Sequence, residues 1–326
     1  MTKDNPPVVQ MGDAAAVVER IIDEVEKAVI GKREYLKKIM AAFLCPGGHV
    51  LLEDYPGLAK TLMANSFAGV LGMDFKRIQF TPDLLPGDIT GGFIFDSRSN
   101  QFVMRRGPLF ANILLADEIN RASPKTQSAL LEAMQEFQVS LEGETLALPE
   151  PFMVIATQNP IEYEGTFPLP EAQLDRFIIR LSPGYPSPDD EREMLTRRSE
   201  RKQDAVPLQT VITPAEFMGL RQAVENVYVD PDVQTYIVNL VAKTRRHKQV
   251  ELGVSPRGSL ALLKITRAWA ALDGRDYVIP DDVKALAADV LSHRLILDPT
   301  LWGSHKAEKD VIEEIIQYIP VPVLSR

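Results

Sequence analysis

The first half of the chain alternates short apolar runs with helical patterns. Apolar residues recur at helical spacing over residues 14–28 and again over about 33–44, which predicts two helices before the first strand. Apolar runs of strand length follow at residues 49–52, 75–80, 112–116, 152–156 and 177–181. Because helical segments alternate with these runs, the pattern predicts a parallel sheet with helices on both faces, an α/β fold.

Two stretches interrupt this alternation with hairpin patterns. Residues 81–108 are rich in proline and glycine and carry two short apolar stretches, 93–95 and 101–105, on either side of a polar turn. A second pair of stretches, 138–141 and 145–148, flanks the sequence Glu-Gly-Glu. We expect two β-hairpins inserted between the elements of the α/β domain.

Beyond the last predicted strand the pattern changes to helices alone. Residues 183–188 form a stiff, proline-rich linker. Helices are predicted after it at about 188–199, 214–225, 231–246, 256–273, 280–291 and 308–318. Pro214 and Pro231 stand where first-turn prolines belong. The prediction is therefore an α/β core over residues 1–186 and an all-helical domain over residues 187–326.

Composition narrows the class of protein. With 326 residues, 45% hydrophobic and 25% charged, the chain is ordinary for a globular protein of two domains with a sizeable core. The net charge of -9 argues against a nucleic-acid partner, which would favour a basic face. The single cysteine, Cys45, excludes an internal disulfide and suits a reducing compartment. No apolar run approaches the roughly 20 residues of a membrane span, so we expect a cytoplasmic protein without membrane insertion.

The most informative stretch is V-L-L-E-D-Y-P-G-L-A-K-T-L at residues 50–62. A buried strand followed by a tight loop that enters a helix through Lys-Thr is the architecture of a phosphate-binding loop. Lys60 would reach the β- and γ-phosphates of a nucleotide, and the Thr61 hydroxyl would bind Mg²⁺. The alternative is a surface lysine on a first helical turn, where basic residues are electrostatically disfavoured.

Two positions depart from the pattern G-x-x-x-x-G-K-[ST], because this chain has Asp54 and Ala59 where the pattern has glycine. Left-handed geometry costs a non-glycine residue roughly 1–2 kcal/mol, so we expect a negative φ at Ala59. Asp54 places a negative charge beside an anionic ligand. We therefore expect its side chain to turn away from the phosphates.

Polar residues end two of the apolar strands. Asp117 and Glu118 follow a strongly apolar run, at the strand end where open α/β sheets bind ligands. In a nucleoside triphosphatase the first acid of such a pair holds Mg²⁺, directly or through water, and the second polarises the attacking water. The competing interpretation is a strand end whose acids only face solvent. Asn159 ends the next apolar strand, where its amide could orient water against the γ-phosphate or could belong to a simple Asn-Pro turn.

Together these stretches resemble the MoxR family of AAA+ ATPases. The matching segments are L-L-E-D-Y-P-G-L-A-K-T (51–61), L-L-A-D-E-I-N-R-A (114–122), A-L-L-E-A-M-Q-E (129–136), I-A-T-Q-N-P (155–160), L-P-E-A-Q-L-D-R-F (169–177) and S-P-R-G-S (255–259). The resemblance covers nearly the whole chain. It implies a P-loop AAA+ core with inserted β-hairpins, followed by an all-α lid domain.

The resemblance also implies a role for each matched position. The Walker A loop corresponds to Asp54, Tyr55, Pro56, Gly57, Leu58, Ala59, Lys60 and Thr61, and Leu62 after it is also expected to contact ATP. Asp117 and Glu118 correspond to Walker B, and Asn159 corresponds to sensor 1. Arg257 corresponds to sensor 2 on the lid, and Arg176 corresponds to the arginine finger, which acts on ATP held by the neighbouring subunit; taken alone, both are ordinary surface arginines. The adenine site between core and lid corresponds to Val29, Ile30 and Gly31.

The function implied by the resemblance is Mg²⁺-dependent ATP hydrolysis. The implied catalytic residues are Lys60, Glu118, Asn159, Arg176 and Arg257, and the implied metal ligands are Thr61 and Asp117. The cofactors would be ATP or ADP and Mg²⁺. Members of the family form rings, usually hexamers. Several are similar to chaperones that act with proteins carrying a von Willebrand factor A domain, so we expect a homo-oligomer and such a partner.

Other functions stay open on the sequence. A nucleotide-binding scaffold or adaptor that does not hydrolyse ATP is one alternative, and Asp54 is the feature that supports it. A metal-chelatase-type motor subunit is a closer alternative within the same superfamily. A nucleic-acid motor is disfavoured by the acidic charge balance. The client protein cannot be named from these residues.

Overall fold

The computed structural model describes residues 11–53, 57–159, 166–299 and 305–322. Its helices are α1 (Met11–Glu26), α2 (Arg33–Leu44), α3 (Lys60–Val70), α4 (Pro86–Thr90), α5 (Pro124–Glu136), α6 (Glu171–Leu174), α7 (Pro188–Arg201), α8 (Pro214–Glu225), α9 (Pro231–Thr244), α10 (Pro256–Leu272), α11 (Pro280–Leu291) and α12 (His305–Tyr318). Its strands are β1 (Val50–Glu53), β2 (Phe75–Gln79), β3 (Gly91–Asp96), β4 (Gln101–Arg106), β5 (Ile113–Asp117), β6 (Gln138–Leu141), β7 (Glu144–Ala147), β8 (Met153–Gln158), β9 (Ile179–Leu181), β10 (Val250–Leu252) and β11 (Ile296–Leu297). No helix in these ranges has the length and apolar character that crossing a bilayer requires.

The centre of the α/β part is a five-stranded sheet in the order β2-β5-β8-β1-β9, and every neighbouring pair is parallel. This confirms the predicted parallel sheet. Strand β5 shows why the apolar runs were informative, because residues 113–116 are all buried. Ile113 and Leu115 belong to the apolar cluster on one face, and Leu114 and Ala116 belong to the cluster on the other. A strand covered on both faces is a continuous apolar run in the sequence.

The parallel arrangement decides where the polar strand ends lie. Strands β5, β8 and β1 are consecutive in the sheet, so their carboxyl ends meet at one edge. Residue 53 of β1 lies opposite residue 158 of β8, and residue 116 of β5 lies opposite residue 156 of β8. The loop after β1, the acid pair after β5 and the polar end of β8 are therefore neighbours.

The two predicted hairpins are present as separate two-stranded antiparallel sheets, β3-β4 and β6-β7. The first one exposes apolar side chains. Phe102 is 71% exposed and lies edge-on to Phe95, with 5.4 Å between the ring centroids. This hairpin therefore presents an aromatic pair to solvent.

The C-terminal part is helical, as predicted, except for one small sheet. Strands β10 and β11 pair antiparallel, so the expectation of helices alone beyond the linker is wrong at this point. The two strands are only 3 and 2 residues long, too short to give a periodic pattern in the sequence. Helices α7 to α11 each begin with proline, which confirms the first-turn positions of Pro214 and Pro231.

Helices α1 and α2 share their apolar core with the C-terminal helices. One continuous cluster contains Ile21 of α1, Phe43 of α2, Phe217 of α8, Leu262 of α10 and Val283 of α11, all fully buried. The first two helices thus pack against the C-terminal helices as well as within the core. A domain boundary near residues 186 and 187 remains a prediction.

Candidate active site

The loop after β1 turns into helix α3 at Ala59. Ala59 has φ 54° and Gly57 has φ 86°, so both lie in the left-handed region. The expectation of a negative φ at Ala59 is therefore wrong. Ala59 is the residue before the first helical position, and its carbonyl already accepts the first helical hydrogen bond, from Met63 N at 2.9 Å. A left-handed conformation costs an alanine roughly 1–2 kcal/mol, so Ala59 is strained.

The turn leaves the first amides of α3 without partners inside the helix, as at any helix N-terminus. These amides and the helix dipole favour an anion at this point. Asp54, Tyr55 and Pro56 lie outside the described residues, so the direction of the Asp54 side chain remains a prediction.

The acid pair is held in place by a threonine on the adjacent strand. The Thr157 hydroxyl donates to Asp117 Oδ1 at 2.6 Å and accepts a hydrogen bond from Glu118 N at 2.8 Å. Thr157 is 1% exposed, so this link is shielded from water. Glu118 itself has φ 55°, an uncommon conformation for a non-glycine residue that concentrates at functional sites. Thr157 thus fixes both acids, a role that was not predicted although a polar residue in an apolar strand was the available signal.

Each acid is also paired with an arginine that the sequence pattern did not single out. Arg77 Nη2 lies 2.7 Å from Asp117 Oδ2, and Arg121 Nη1 lies 2.9 Å from Glu118 Oε2. Arg121 follows Glu118 by three residues and is a local partner. Arg77 is on β2, so only the pairing of β2 with β5 brings it to Asp117.

One cavity of about 470 Å³, hereafter the phosphate cavity, joins these groups. Its lining contains loop residues 57–62, Arg77, Gln79, Asp117, Glu118 and residues 157–159. The predicted Gly57, Leu58, Ala59, Lys60, Thr61, Leu62, Asp117, Glu118 and Asn159 therefore all face one space. The structure brings together every described residue that was predicted for the phosphates, the metal and the attacking water.

The donor set of the phosphate cavity fits Mg²⁺ that arrives with a phosphate ligand. Thr61 and Asp117 offer hard oxygen atoms, and both line the cavity. Within the described ranges there is no group of three or more His, Cys, Asp or Glu side chains that could hold a metal ion. A magnesium ion here would depend on ligand phosphates and water for the rest of its coordination.

A second, more apolar cavity of about 490 Å³ adjoins the first and shares residues 57–60 and Leu62 with it. Val29 and Ile30 line it, as predicted for the adenine site, together with Tyr35, Met63 and Met194. Gly31 is not among the described residues that line this cavity. With φ 73°, it lies instead against α7, where an added Cβ would stand 2.2 Å from the carboxyl carbon of Asp190. An apolar compartment next to a polar one suits a nucleotide base beside its phosphates.

Arg176 and Arg257 are together in a third place, a cleft of about 180 Å³ that also contains Lys264 and Arg294. We call it the arginine cleft. Neither Arg176 nor Arg257 is among the described residues that line the phosphate cavity. The structure thus unites the two predicted arginines and separates them from the Lys60 of their own chain.

Asp175 connects the two sides of the arginine cleft. Its Oδ1 accepts from Arg294 Nε at 2.7 Å, and its Oδ2 accepts from the Ser255 hydroxyl at 3.3 Å. Burial lowers the pKa of Arg294, and the Asp175 carboxylate opposes that shift. Because Asp175 precedes Arg176 and Ser255 caps the helix that carries Arg257, the two arginines are fixed relative to each other.

The model of the ATPase family associated with various cellular activities (AAA) matches residues 49–179, and the AAA lid domain model matches residues 242–315. Chaperone MoxR1 of Mycobacterium tuberculosis is 43% identical to this chain over 98% of this chain and 87% of that protein. The chain belongs to the MoxR family of AAA+ ATPases. The first matched region contains the loop, the acid pair and Arg176, and the second contains Arg257.

Two further similarities cover almost the whole chain. The uncharacterized protein YeaC of Bacillus subtilis is 49% identical over 95% of this chain and 97% of its own length. The crystal structure of a proposed ATPase from Cytophaga hutchinsonii superposes with a TM-score of 0.86 at 38% identity, covering 95% of this chain and 96% of that one. The fold of this MoxR-type chain, an AAA+ core followed by a lid domain, is thereby also the fold of a solved relative.

Proposed function

We propose that this chain is an Mg²⁺-dependent ATPase whose active site is shared between neighbouring subunits of a ring, with six subunits as the expected number. The observation that carries the proposal is the split between the phosphate cavity and the arginine cleft. One contains Lys60, Thr61 and the acid pair, and the other contains Arg176 and Arg257.

Within one subunit, the phosphate cavity supplies the binding and the base. Lys60, at the N-terminus of α3, would neutralise charge on the β- and γ-phosphates. Thr61 and Asp117 would hold Mg²⁺, which when bound contributes further charge neutralisation on the phosphates. The Glu118 carboxylate would accept the proton of the water that attacks the γ-phosphorus, while Asn159 would position that water. The apolar cavity beside Val29 and Ile30 would take the adenine.

The neighbouring subunit would complete the site with Arg176. An arginine that stabilises the transferring phosphoryl group is worth about 10³–10⁵ in rate in other enzymes of this chemistry. Arg176 supports this role by its position, because it lines the arginine cleft and is not among the described residues that line the phosphate cavity of its own subunit. Arg257 shares the cleft, so we assign it to the same neighbouring site. Arg257 would therefore act on the nucleotide of the neighbouring subunit, and not on that of its own subunit.

The ATPase would use the energy of hydrolysis to act as a chaperone. The relative from Mycobacterium tuberculosis is named a chaperone. The β3-β4 hairpin offers exposed Phe95 and Phe102, an apolar surface of the kind that contacts other polypeptides. We therefore propose that the chain remodels or matures client proteins together with a protein carrying a von Willebrand factor A domain.

The test is a comparison of ATP binding and phosphate release by the assembled protein. We expect the wild type to bind ATP with Mg²⁺ and release phosphate, and Lys60→Ala to lose binding about a hundredfold with the loss of a charged hydrogen-bonding group. Glu118→Gln should bind ATP and release no phosphate. Equal ATP binding by the wild type and Lys60→Ala would overturn the proposal. Tight binding by the wild type with no phosphate release would replace it with the non-hydrolysing scaffold.

A further inference from the structure

Arg77 lies on the face of the sheet that carries the acid pair. Its strand β2 pairs in parallel with β5, and Gln79 stands directly opposite Asp117. Side chains two residues apart on a strand share a face, so Arg77 and Gln79 both face the side of Asp117. Arg77 Nη2 donates to Gln79 Oε1 at 3.0 Å, which holds the guanidinium beside the acid.

The guanidinium occupies one oxygen of Asp117 almost completely. Nη2 and Nε of Arg77 both donate to Asp117 Oδ2, at 2.7 and 3.2 Å. A carboxylate oxygen offers about two lone pairs, so two donors use what Oδ2 has. The other oxygen, Oδ1, accepts the Thr157 hydroxyl at 2.6 Å. A metal ion that binds Oδ2 directly must therefore displace Arg77.

The positive charge of Arg77, like its hydrogen bonds, opposes the binding of a metal ion to Asp117. A guanidinium at the carboxylate cancels the charge that would attract a cation and repels the cation as well. The part of the chain that the structure describes offers no cluster of three metal-binding side chains to compensate. Without phosphates in the cavity, Asp117 paired with Arg77 is a poor metal ligand.

Arg77 is also free enough to move. Its side chain is 46% exposed, whereas that of Asp117 is 17% exposed. An ion pair with one half-exposed partner is partly screened by water, so a divalent cation brought in by phosphates can replace it. The pair thus has a second available state in which Asp117 faces a metal and Arg77 faces solvent or the cavity.

We propose that Arg77 is a positioning residue that occupies Oδ2 of Asp117 until Mg²⁺ arrives with the nucleotide, and so makes metal binding through this oxygen depend on nucleotide binding. This inference rests on the proposed function, because it assigns Arg77 to the Mg²⁺-nucleotide site of that ATPase. The rival role is support, in which Arg77 orients Asp117 for a metal that is already bound. The two roles predict shifts of opposite sign when Arg77 is replaced.

The experiment measures how much Mg²⁺ is needed to tighten the binding of a fluorescent ADP to the full-length protein, without any measurement of turnover. Arg77→Gln should lower the Mg²⁺ concentration at half effect by about tenfold, the scale expected from removing one cationic competitor at hydrogen-bonding distance in a partly exposed site. Arg77→Lys keeps the charge and has fewer donors, so its Mg²⁺ midpoint should lie between those of the wild type and Arg77→Gln. Lys76→Gln is the matched control, because it removes one positive charge from the next residue of β2, which faces the other side of the sheet. Its midpoint should equal that of the wild type.

The outcomes separate this inference from the proposed function. If the wild type binds no fluorescent ADP at saturating Mg²⁺, the nucleotide site itself is refuted. If the wild type binds and Arg77→Gln leaves the Mg²⁺ midpoint unchanged or raises it, only the role of Arg77 is refuted. ADP binding at saturating Mg²⁺ also shows that the Arg77 variants are folded, so a failed midpoint shift cannot be attributed to misfolding.

Discussion

The phosphate cavity and the arginine cleft differ in the charged groups they contain and in the way those groups are fixed. The phosphate cavity combines Lys60 with two acids, set by a strand end, a helix N-terminus and the Thr157 hydroxyl. The arginine cleft is strongly cationic and is set by Asp175, which joins the end of the core to the helix after Ser255. In the proposed function the first binds the nucleotide. The described residues that line the second include Arg176 and Arg257 but none of residues 57–62, which is the division expected of a site completed by another copy of the chain.

Replacing Arg176, the proposed arginine finger, should give the largest effect on turnover. It should also distinguish the arginine cleft from the phosphate cavity most clearly. Arg176→Ala is expected to lower ATP turnover by the assembled protein about 10³-fold or more while leaving ATP affinity within a few-fold of the wild type, because the arginine acts on transition-state charge. Turnover and fluorescent-nucleotide binding are measured on the same preparation. Arg246→Ala, an exposed lid arginine outside the cleft lining, is the control and should leave both unchanged. Full turnover by Arg176→Ala would show that the cleft has no part in the chemistry.

Removing the Thr157 hydroxyl should give a smaller effect, confined to the phosphate cavity. Thr157→Val keeps the shape of the side chain and removes the bond to Asp117 and the acceptor for Glu118 N. We expect turnover to fall about tenfold and the free energy of unfolding to fall by about 1–3 kcal/mol, because a buried donor loses its partner. Urea unfolding and a turnover assay measure the two effects. A change in stability with normal turnover would mean that Thr157 supports the fold and not the acids.

The smallest effect should come from the left-handed alanine in the loop. Ala59→Gly relieves the strain at φ 54°, and we expect a gain of about 1 kcal/mol in the free energy of unfolding, partly offset by the greater freedom of glycine in the unfolded chain. Urea unfolding of the two proteins measures this difference. Ala64, a buried residue in the middle of α3, provides the control within the adjoining helix, and Ala64→Gly should destabilise by about 1 kcal/mol. Destabilisation by Ala59→Gly as well would contradict the left-handed conformation.

The parts that were predictable from the sequence are those set by local pattern. Strands buried on both faces are continuous apolar runs, so the carboxyl ends of β1, β5 and β8 could be located from the sequence. The grouping of Lys60, Asp117 and Asn159 was expected from the resemblance to the family, and the order β5-β8-β1 brings the three strand ends together. The first turns of the lid helices were similarly marked by proline.

The parts that escaped prediction depend on long-range placement. Arg77 meets Asp117 only because β2 is the neighbour of β5, and no local pattern states that register. The separation of Arg257 from Lys60 depends on where the lid helices lie against the core. The left-handed φ of Ala59 is contrary to the residue's own preference, so that preference predicted the wrong sign. The places of Arg77 and Arg257 depend on tertiary structure that no local pattern reports.

The most direct test of a shared active site is to mix two inactive variants. Lys60→Ala retains the arginine cleft, and Arg176→Ala retains the phosphate cavity. In a mixed ring, some interfaces therefore join an intact phosphate cavity of one subunit to an intact arginine cleft of the next. With random assembly at equal amounts, about one interface in four is of this kind, since each half is intact in half of the subunits. We predict that each variant alone releases almost no phosphate and that mixing, followed by reassembly, restores turnover to roughly that fraction of the wild type. Mixed rings that stay as inactive as the separate variants would contradict the shared site.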